Sequence, residues 1–271
     1  MKAAHPYAVP IAGGTDVMVE VNLDHKRPAA ILDLTRSREL TEWGTDDGLL
    51  RIGAGVTYTR LIDELGDRLP GLAMASRTVG SPQIRNRGTV GGNLGTSSPA
   101  GDAHPPLLAS GALVELTSVS GTRRMPIAEF FTGPKRNAMQ ENELIAAFLM
   151  PAAKGGQQFS KVGTRNAMVI AVCSFAVDID PIQRRIGTGI GSAGPTPLRA
   201  VEAERFIEGV FDEANLWDRR TDISESAMER FGGLVAEAAR PIDDVRGTAA
   251  YRRHALAVLA RRCLKWAWQT A

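Results

Sequence analysis

The chain has 271 residues, 44% of them hydrophobic and 23% charged, with a formal net charge of +2. That composition is globular, suits one large domain or two modest ones, and singles out no nucleic acid or other strongly charged partner. Two cysteines, Cys173 and Cys263, are too few for a disulfide framework or an iron–sulfur cluster held by this chain alone; the opening residues lack a secretory signal's apolar core, and no apolar run reaches membrane-span length. A cytoplasmic, reducing setting is therefore expected.

Residues 9–12 predict a short buried strand that stops at Gly13-Gly14-Thr15-Asp16, ahead of an apolar stretch over 17–21. Residues 30–34 and 49–55 predict two further strands, and Thr57 is placed to cap a helix carrying Leu61, Ile62 and Leu65. A helix over about 72–78 leads to residues 89–102, TVGGNLGTSSPAGD, predicted as a large loop with little side chain of its own. Asp102 is expected to N-cap a short helix with Pro105 and Pro106 in its first turn, ended by Gly111. Residues 113–116 and 124–127 predict a hairpin, and 143–145 lead toward Pro151. The polar, glycine-rich stretch 154–158 marks a domain boundary. Beyond it, 169–177 reads as a strand with 186–191 as its partner, and the pattern is helical from Leu198. The last helix, about 251–268, puts Leu256, Leu259, Cys263 and Leu264 on one face. Arg252, Arg253, Arg261, Arg262 and Lys265 lie mostly elsewhere, as a solvated surface or a docking face. Both cysteines fall on core-facing positions.

Two glycine motifs carry the chemistry. Gly13-Gly14-Thr15-Asp16 and Thr89-Val90-Gly91-Gly92-Asn93 each pair glycines before a small polar residue. Paired glycines aim successive N–H groups into one concavity and let a pyrophosphate approach the backbone, so two such motifs can grip the two phosphates of a dinucleotide. Read alone, each is also an ordinary turn. Neither is a Rossmann or a P-loop signature. Asp102 and His104 hint at a metal pair, but no third ligand accompanies them. Arg85 and Arg87 flank the second motif, where they attract phosphate or a partner or are simply solvated.

Ala12-Gly13-Gly14-Thr15-Asp16, then residues 83–94 (QIRNRGTVGGNL), then Ser98-Pro99-Ala100-Gly101-Asp102 resemble the FAD-binding subunits of molybdenum hydroxylases, the xanthine dehydrogenase and carbon monoxide dehydrogenase family. The resemblance continues through 143–151, through Phe159-Ser160-Lys161-Val162-Gly163-Thr164-Arg165 and to Tyr251-Arg252-Arg253. It implies an α+β protein with a PCMH-type FAD-binding domain over 1–153, in two subdomains of about 1–52 and 53–153. A C-terminal domain over 157–271 follows, with a three-stranded antiparallel sheet and helices. It also implies a site. Pro10, Ile11, Ala12, Gly13, Gly14, Thr15, Asp16 and Val17 would wrap the FAD pyrophosphate from one side and Thr89, Val90, Gly91, Gly92 and Asn93 from the other. Val79 would touch the flavin or its linker, Asp102 the cofactor, and Ile145 would add an apolar contact. Lys161 would lie near the flavin ring and stabilise negative charge there; read without the resemblance it is also a solvated lysine at a strand start, and Arg165 either pairs an acid nearby or is a surface arginine. By the same resemblance FAD does the redox work and this chain holds no catalytic acid, base or metal.

Partners follow from the resemblance too: a molybdenum-binding large subunit and an iron–sulfur [2Fe-2S] small subunit, in a dimer of heterotrimers. Electrons would leave through FAD to NAD or another acceptor. The Gly-Gly-Thr-Asp form leans toward xanthine- or aromatic-hydroxylating members, since the carbon monoxide enzymes more often carry His-Ser or Gln-Ser there. Two other readings stand beside it, a free-standing FAD-dependent oxidoreductase and a non-catalytic scaffold subunit. Only eleven residues precede Ala12, where family members carry a further strand and helix, so this chain either lacks that edge strand or starts upstream.

Overall fold

The structure is a computed structural model that describes residues 2–271. A small first lobe pairs β1 (Val9–Ile11) with β2 (Ile31–Asp33) in parallel, Val9 opposite Ile31, with α1 (Val17–Asn22) as the crossover. The apolar stretch after the first glycine motif is thus helical, and α1 buries none of its residues. A short α2 (Arg38–Thr41) leads out of this lobe.

The second lobe is built on β3 (Trp43–Asp46) and β4 (Leu49–Gly53), then α3 (Tyr58–Leu65), α4 (Pro70–Arg77), α5 (Pro82–Arg85), α6 (Val90–Thr96) and α7 (His104–Ala109). It continues with β5 (Leu113–Ser118), β6 (Gly121–Pro126), α8 (Ile127–Phe130), β7 (Phe131–Gly133), β8 (Arg136–Asn137) and β9 (Leu144–Met150). The antiparallel sheet runs β3-β4-β9-β5-β6 and packs its Leu50, Ile52, Val114 and Phe148 against Leu61, Leu65, Leu72 and Leu107 of the helices. The expected internal division at residue 52 falls inside β4, a member of this sheet. The cap on α3 is as expected, with Arg60 N–H donating to Thr57 Oγ1.

Two details of this lobe depart from the sequence reading. Residues 89–102 are not one loop, because α6 occupies their first half. Gly92 N–H donates to Thr89 Oγ1 at 2.9 Å, which caps the helix, and Ser97 ends it at φ 49°. Gly91 is there for contact rather than flexibility, since a Cβ on it would collide with the Ala54 carbonyl. Asp102 is not a helix cap. The N-cap of α7 is Ala103, and the Asp102 carboxylate is drawn away to the Thr78 hydroxyl and, across the domain boundary, to the Lys161 ammonium.

The C-terminal domain has the expected three-stranded antiparallel sheet of β10 (Gln157–Val162), β11 (Cys173–Asp180) and β12 (Arg185–Gly191). One face carries α9 (Val201–Glu213), α10 (Leu216–Arg219), α11 (Glu225–Ala238) and α12 (Ala249–Thr270) over a core of Phe175, Ile179, Phe211, Phe231 and Leu256. The other face rests on α4 and α7 through Ala75, Ala109, Phe159 and Ala176. Strand β11 begins at Cys173 rather than Val169, because residues 163–172 turn at Met168, φ 50°, with Met168 and Ile170 exposed. Both cysteines are buried and free. Arg252, read as an outward residue of α12, is instead buried and donates to Val172 O, Ser192 O and Asp244 Oδ1. Those carbonyls lie at strand ends that the helix must reach, so the guanidinium replaces missing sheet partners.

Candidate functional site

The two glycine motifs, 76 residues apart in sequence counted from residue 13 to residue 89, face one cavity of about 430 Å³. Pro10, Ala12, Gly13, Gly14, Thr15, Asp16 and Val17 line it from the first lobe, and Thr89, Gly91, Gly92 and Asn93 from α6. Val79 and Ile145 line it too. Ile11 and Val90 do not; Val90 is wholly buried in the core of the second lobe. The first motif packs on the segment that leads into the second, because Gly13 lies so close to Arg87 O that a Cβ would collide with it. Thr96 Oγ1 donates to Asp16 Oδ2 at 2.8 Å, which ties the end of α6 to the first motif. Arg85 does not reach into the cavity. It donates to the carbonyls of Arg77, Val79 and Gly80 and so fixes the turn that presents Val79.

Asp102 and Lys161 meet across the domain boundary, next to that turn. Lys161 Nζ lies 2.5 Å from Asp102 Oδ2, with each side chain less than a tenth exposed. Thr78 Oγ1 donates to the same oxygen at 3.0 Å, and Lys161 also donates to Thr78 O. Burial pushes the Asp102 carboxyl up from its ordinary value, opposed by the Lys161 ammonium and the Thr78 hydroxyl. Its Oδ1 is buried with no partner in the protein. His104 does not pair with Asp102 as a metal site would need. Its Nε2 lies 3.3 Å from Asn93 O, its ring packs on Phe131, and burial lowers its pKa to about 4. Arg165 meets no acid and donates to Ala167 O and Met168 O.

Sequence reasoning missed the remaining walls. Tyr58, Ala54 and Gly55 form part of the cavity from the second lobe, and Lys26 and Lys135 place cations at it, both beside Glu20. Thr57 signalled a helix start, but nothing in the sequence says that Tyr58 faces a cavity. Lys135 sits in a turn held by its N–H to Ser97 O, a contact made only in the folded chain.

The cavity suits a long ligand with an anionic middle. Its volume falls in the range of about 300–1,000 Å³ usual for small-molecule sites. Open backbone at Gly92, where a Cβ would meet only Thr89 Oγ1, lies opposite Gly14 at φ 77° and apolar walls of Leu34, Leu40, Val79 and Ile145. Comparison with known proteins agrees. Residues 1–153 match the family described as the FAD binding domain in molybdopterin dehydrogenase, and residues 158–267 match the CO dehydrogenase flavoprotein C-terminal domain. The chain belongs to this molybdenum hydroxylase flavoprotein family.

The family's cofactor is FAD and its enzymes are oxidoreductases. Among the relatives of this flavoprotein is the nicotinate dehydrogenase FAD-subunit of Eubacterium barkeri, 34% identical over 73% of this chain and 71% of that one. The putative xanthine dehydrogenase FAD-binding subunit of Escherichia coli is 29% identical over 97% of this chain and 89% of its own. Among solved structures, the carbon monoxide dehydrogenase of Hydrogenophaga pseudoflava superposes with a TM-score of 0.87 at 27% identity, covering 97% of this chain and 91% of that chain. Among the described residues no helix is long and apolar enough to cross a membrane.

Proposed function

We propose that this flavoprotein holds FAD between its two glycine motifs and is the electron-transfer subunit of a multi-subunit molybdenum hydroxylase. The observation that carries the reading is the convergence of both motifs on one cavity; Asp102 and Lys161 do not line it, but are bonded to Thr78, the neighbour of Val79 in its wall. Residues 12–16 and 89–93 would hold the pyrophosphate through the backbone N–H groups left free there, those of Gly92 and Asn93 being spent on Thr89, with Lys26 and Lys135 adding positive charge. Val79 and Ile145 would pack on the apolar part of the cofactor. Asp102 would use its unpaired Oδ1 toward FAD while its Oδ2 fixes Lys161, whose ammonium favours negative charge on a neighbouring ring. The FAD held there would supply the redox chemistry between iron–sulfur clusters on a partner and NAD or another acceptor.

The partners proposed are an iron–sulfur small subunit and a molybdenum-binding large subunit, assembled as a dimer of heterotrimers in the cytoplasm. Subunit names among the relatives support the assembly, and two free thiols suit a reducing compartment. The Thr15-Asp16 pair keeps the reading on the xanthine- or aromatic-hydroxylating side. The domain division proposed is 1–153 and 157–271. Purifying the tagged chain natively from its own host and recording its visible spectrum tests the whole reading. Flavin bands over broad iron–sulfur absorption are expected. Flavin bands alone, with no partner on the gel, would turn the reading to a free-standing oxidoreductase. A colourless chain with partners attached would leave a scaffold.

A further inference from the structure

Resting on the cofactor reading above, we propose that Tyr58 is a cofactor-holding residue whose phenol hydroxyl donates a hydrogen bond to the pyrophosphate segment of the dinucleotide.

The ring sits where the two motifs meet. Tyr58 opens α3, its N–H donates to Gly88 O at 3.0 Å, and Gly88 lies over the ring, so close that a Cβ there would be 3.4 Å from two ring carbons. Gly88 is the residue before the second motif, and Gly13 of the first packs on the same Arg87–Gly88 peptide. A β-bridge between Thr57 and Thr89 locks this junction. Tyr58 lines the cavity, yet it is only 2% exposed and its hydroxyl finds no partner among the described residues.

A buried hydroxyl without a partner is costly, and phenylalanine would fill the same space without that cost. Five buried side-chain atoms lack partners among the described residues, on Tyr58, Asn93, Asp102, His104 and Arg252. Asn93 Oδ1 and His104 Nδ1 both lie beside Gly101, 2.8 and 2.6 Å from where a Cβ on it would stand. Asp102 Oδ1 is the oxygen left over by the Lys161 pair, which uses Oδ2, and is the one assigned to the cofactor above; Arg252 Nε lies on α12 in the C-terminal domain. Of the five, those of Tyr58 and Asn93 belong to residues lining the cavity, and the Tyr58 phenol lies near Asp16 of the first motif and near Asp102. Burial, with Asp102 and Asp16 nearby, raises the phenol well above its ordinary value, so it stays a neutral donor. A pyrophosphate offers only acceptor oxygens and carries negative charge, which is the complement of such a donor.

The test strips FAD from the full chain and from Tyr58→Phe, measures the thermal midpoint of each without cofactor, and titrates each with FAD and with ADP. The expected result is a midpoint that is unchanged or raised, with affinity weakened about tenfold for both ligands. ADP shares the pyrophosphate and lacks the flavin, so equal losses locate the bond. A lowered midpoint with unchanged affinities means that a buried water satisfies the hydroxyl and overturns the proposal. So does a loss seen with FAD and not with ADP. If the unaltered chain binds no FAD, the cofactor reading itself falls, and the Tyr58 proposal with it.

Discussion

His104 and Asp102 show how single buried groups make this fold depend on pH. The unfolded His104 imidazole takes its proton near its ordinary 6.5 and the folded one only near about 4, because the ring is sealed against Phe131. Between those values the unfolded state binds more protons. Stability is therefore complete above pH 6.5 and falls as pH drops toward 4, by about 3 kcal/mol over the whole window. Urea midpoints recorded from pH 7 to 4 should slope accordingly, and His104→Leu should flatten part of that slope; an unaltered slope would reject the assignment. Lys161→Met removes the partner of a buried carboxylate and should cost about 3 kcal/mol near neutral pH. The Asp102 carboxyl, already raised by burial, then takes up a proton as pH falls. The deficit of Lys161→Met should accordingly shrink on acidification, which chemical denaturation at pH 7 and pH 5 can read.

Helix α6 is the element that makes the site. Thr89 caps it, Gly91 lets it lie against Ala54, and Thr96 ties its far end to Asp16. Thr89→Ala removes the cap to Gly92 N–H and should cost about 1 kcal/mol. It should also raise the dissociation constant for FAD, because the same turn presents the motif backbone. Serine at 89 should restore both properties, and failure of Thr89→Ser to do so would point to the threonine methyl instead of the cap. Gly13→Ala acts between elements. Its Cβ would be driven into Arg87 O, so the two motifs must part. FAD retention through gel filtration should be lost, with overpacking costing about 1–3 kcal/mol. Full retention would show that the first lobe can shift freely.

At the scale of the whole molecule, the two domains share a face too close to be a loose hinge. Strand β12 lies on α7 so tightly that a Cβ on Gly187 would strike Ala109 O and one on Gly189 would strike Pro105 O. Arg185 donates to Ala109 O and pairs with Asp178, which also accepts from Gln157, whose Oε1 accepts from Gly71 N–H. Calorimetry of the full chain should show one cooperative transition, since Lys161, Arg185 and Gln157 all cross the boundary. Gly189→Val should lower that transition or split it in two. A single unshifted transition would mean that the interface yields without cost.

Much of this protein was legible in its sequence. Local rules found the Thr57 cap, the hairpin of β5 and β6, the pairing of β11 with β12, and the apolar face of α12, because periodicity and capping are short-range physics. The glycine motifs and their resemblance named the family, since backbone approach to a pyrophosphate demands glycine wherever the chain is folded. Composition could not show that TVGGNLGT is a helix, because Gly91 serves contact with Ala54, which lies far away in sequence. Nor could it send Asp102 to Lys161 instead of a helix end, bury Arg252, or set Tyr58 beneath Gly88. Those outcomes rest on partners 30 to 80 residues apart, and only packing decides which buried polar group finds which partner.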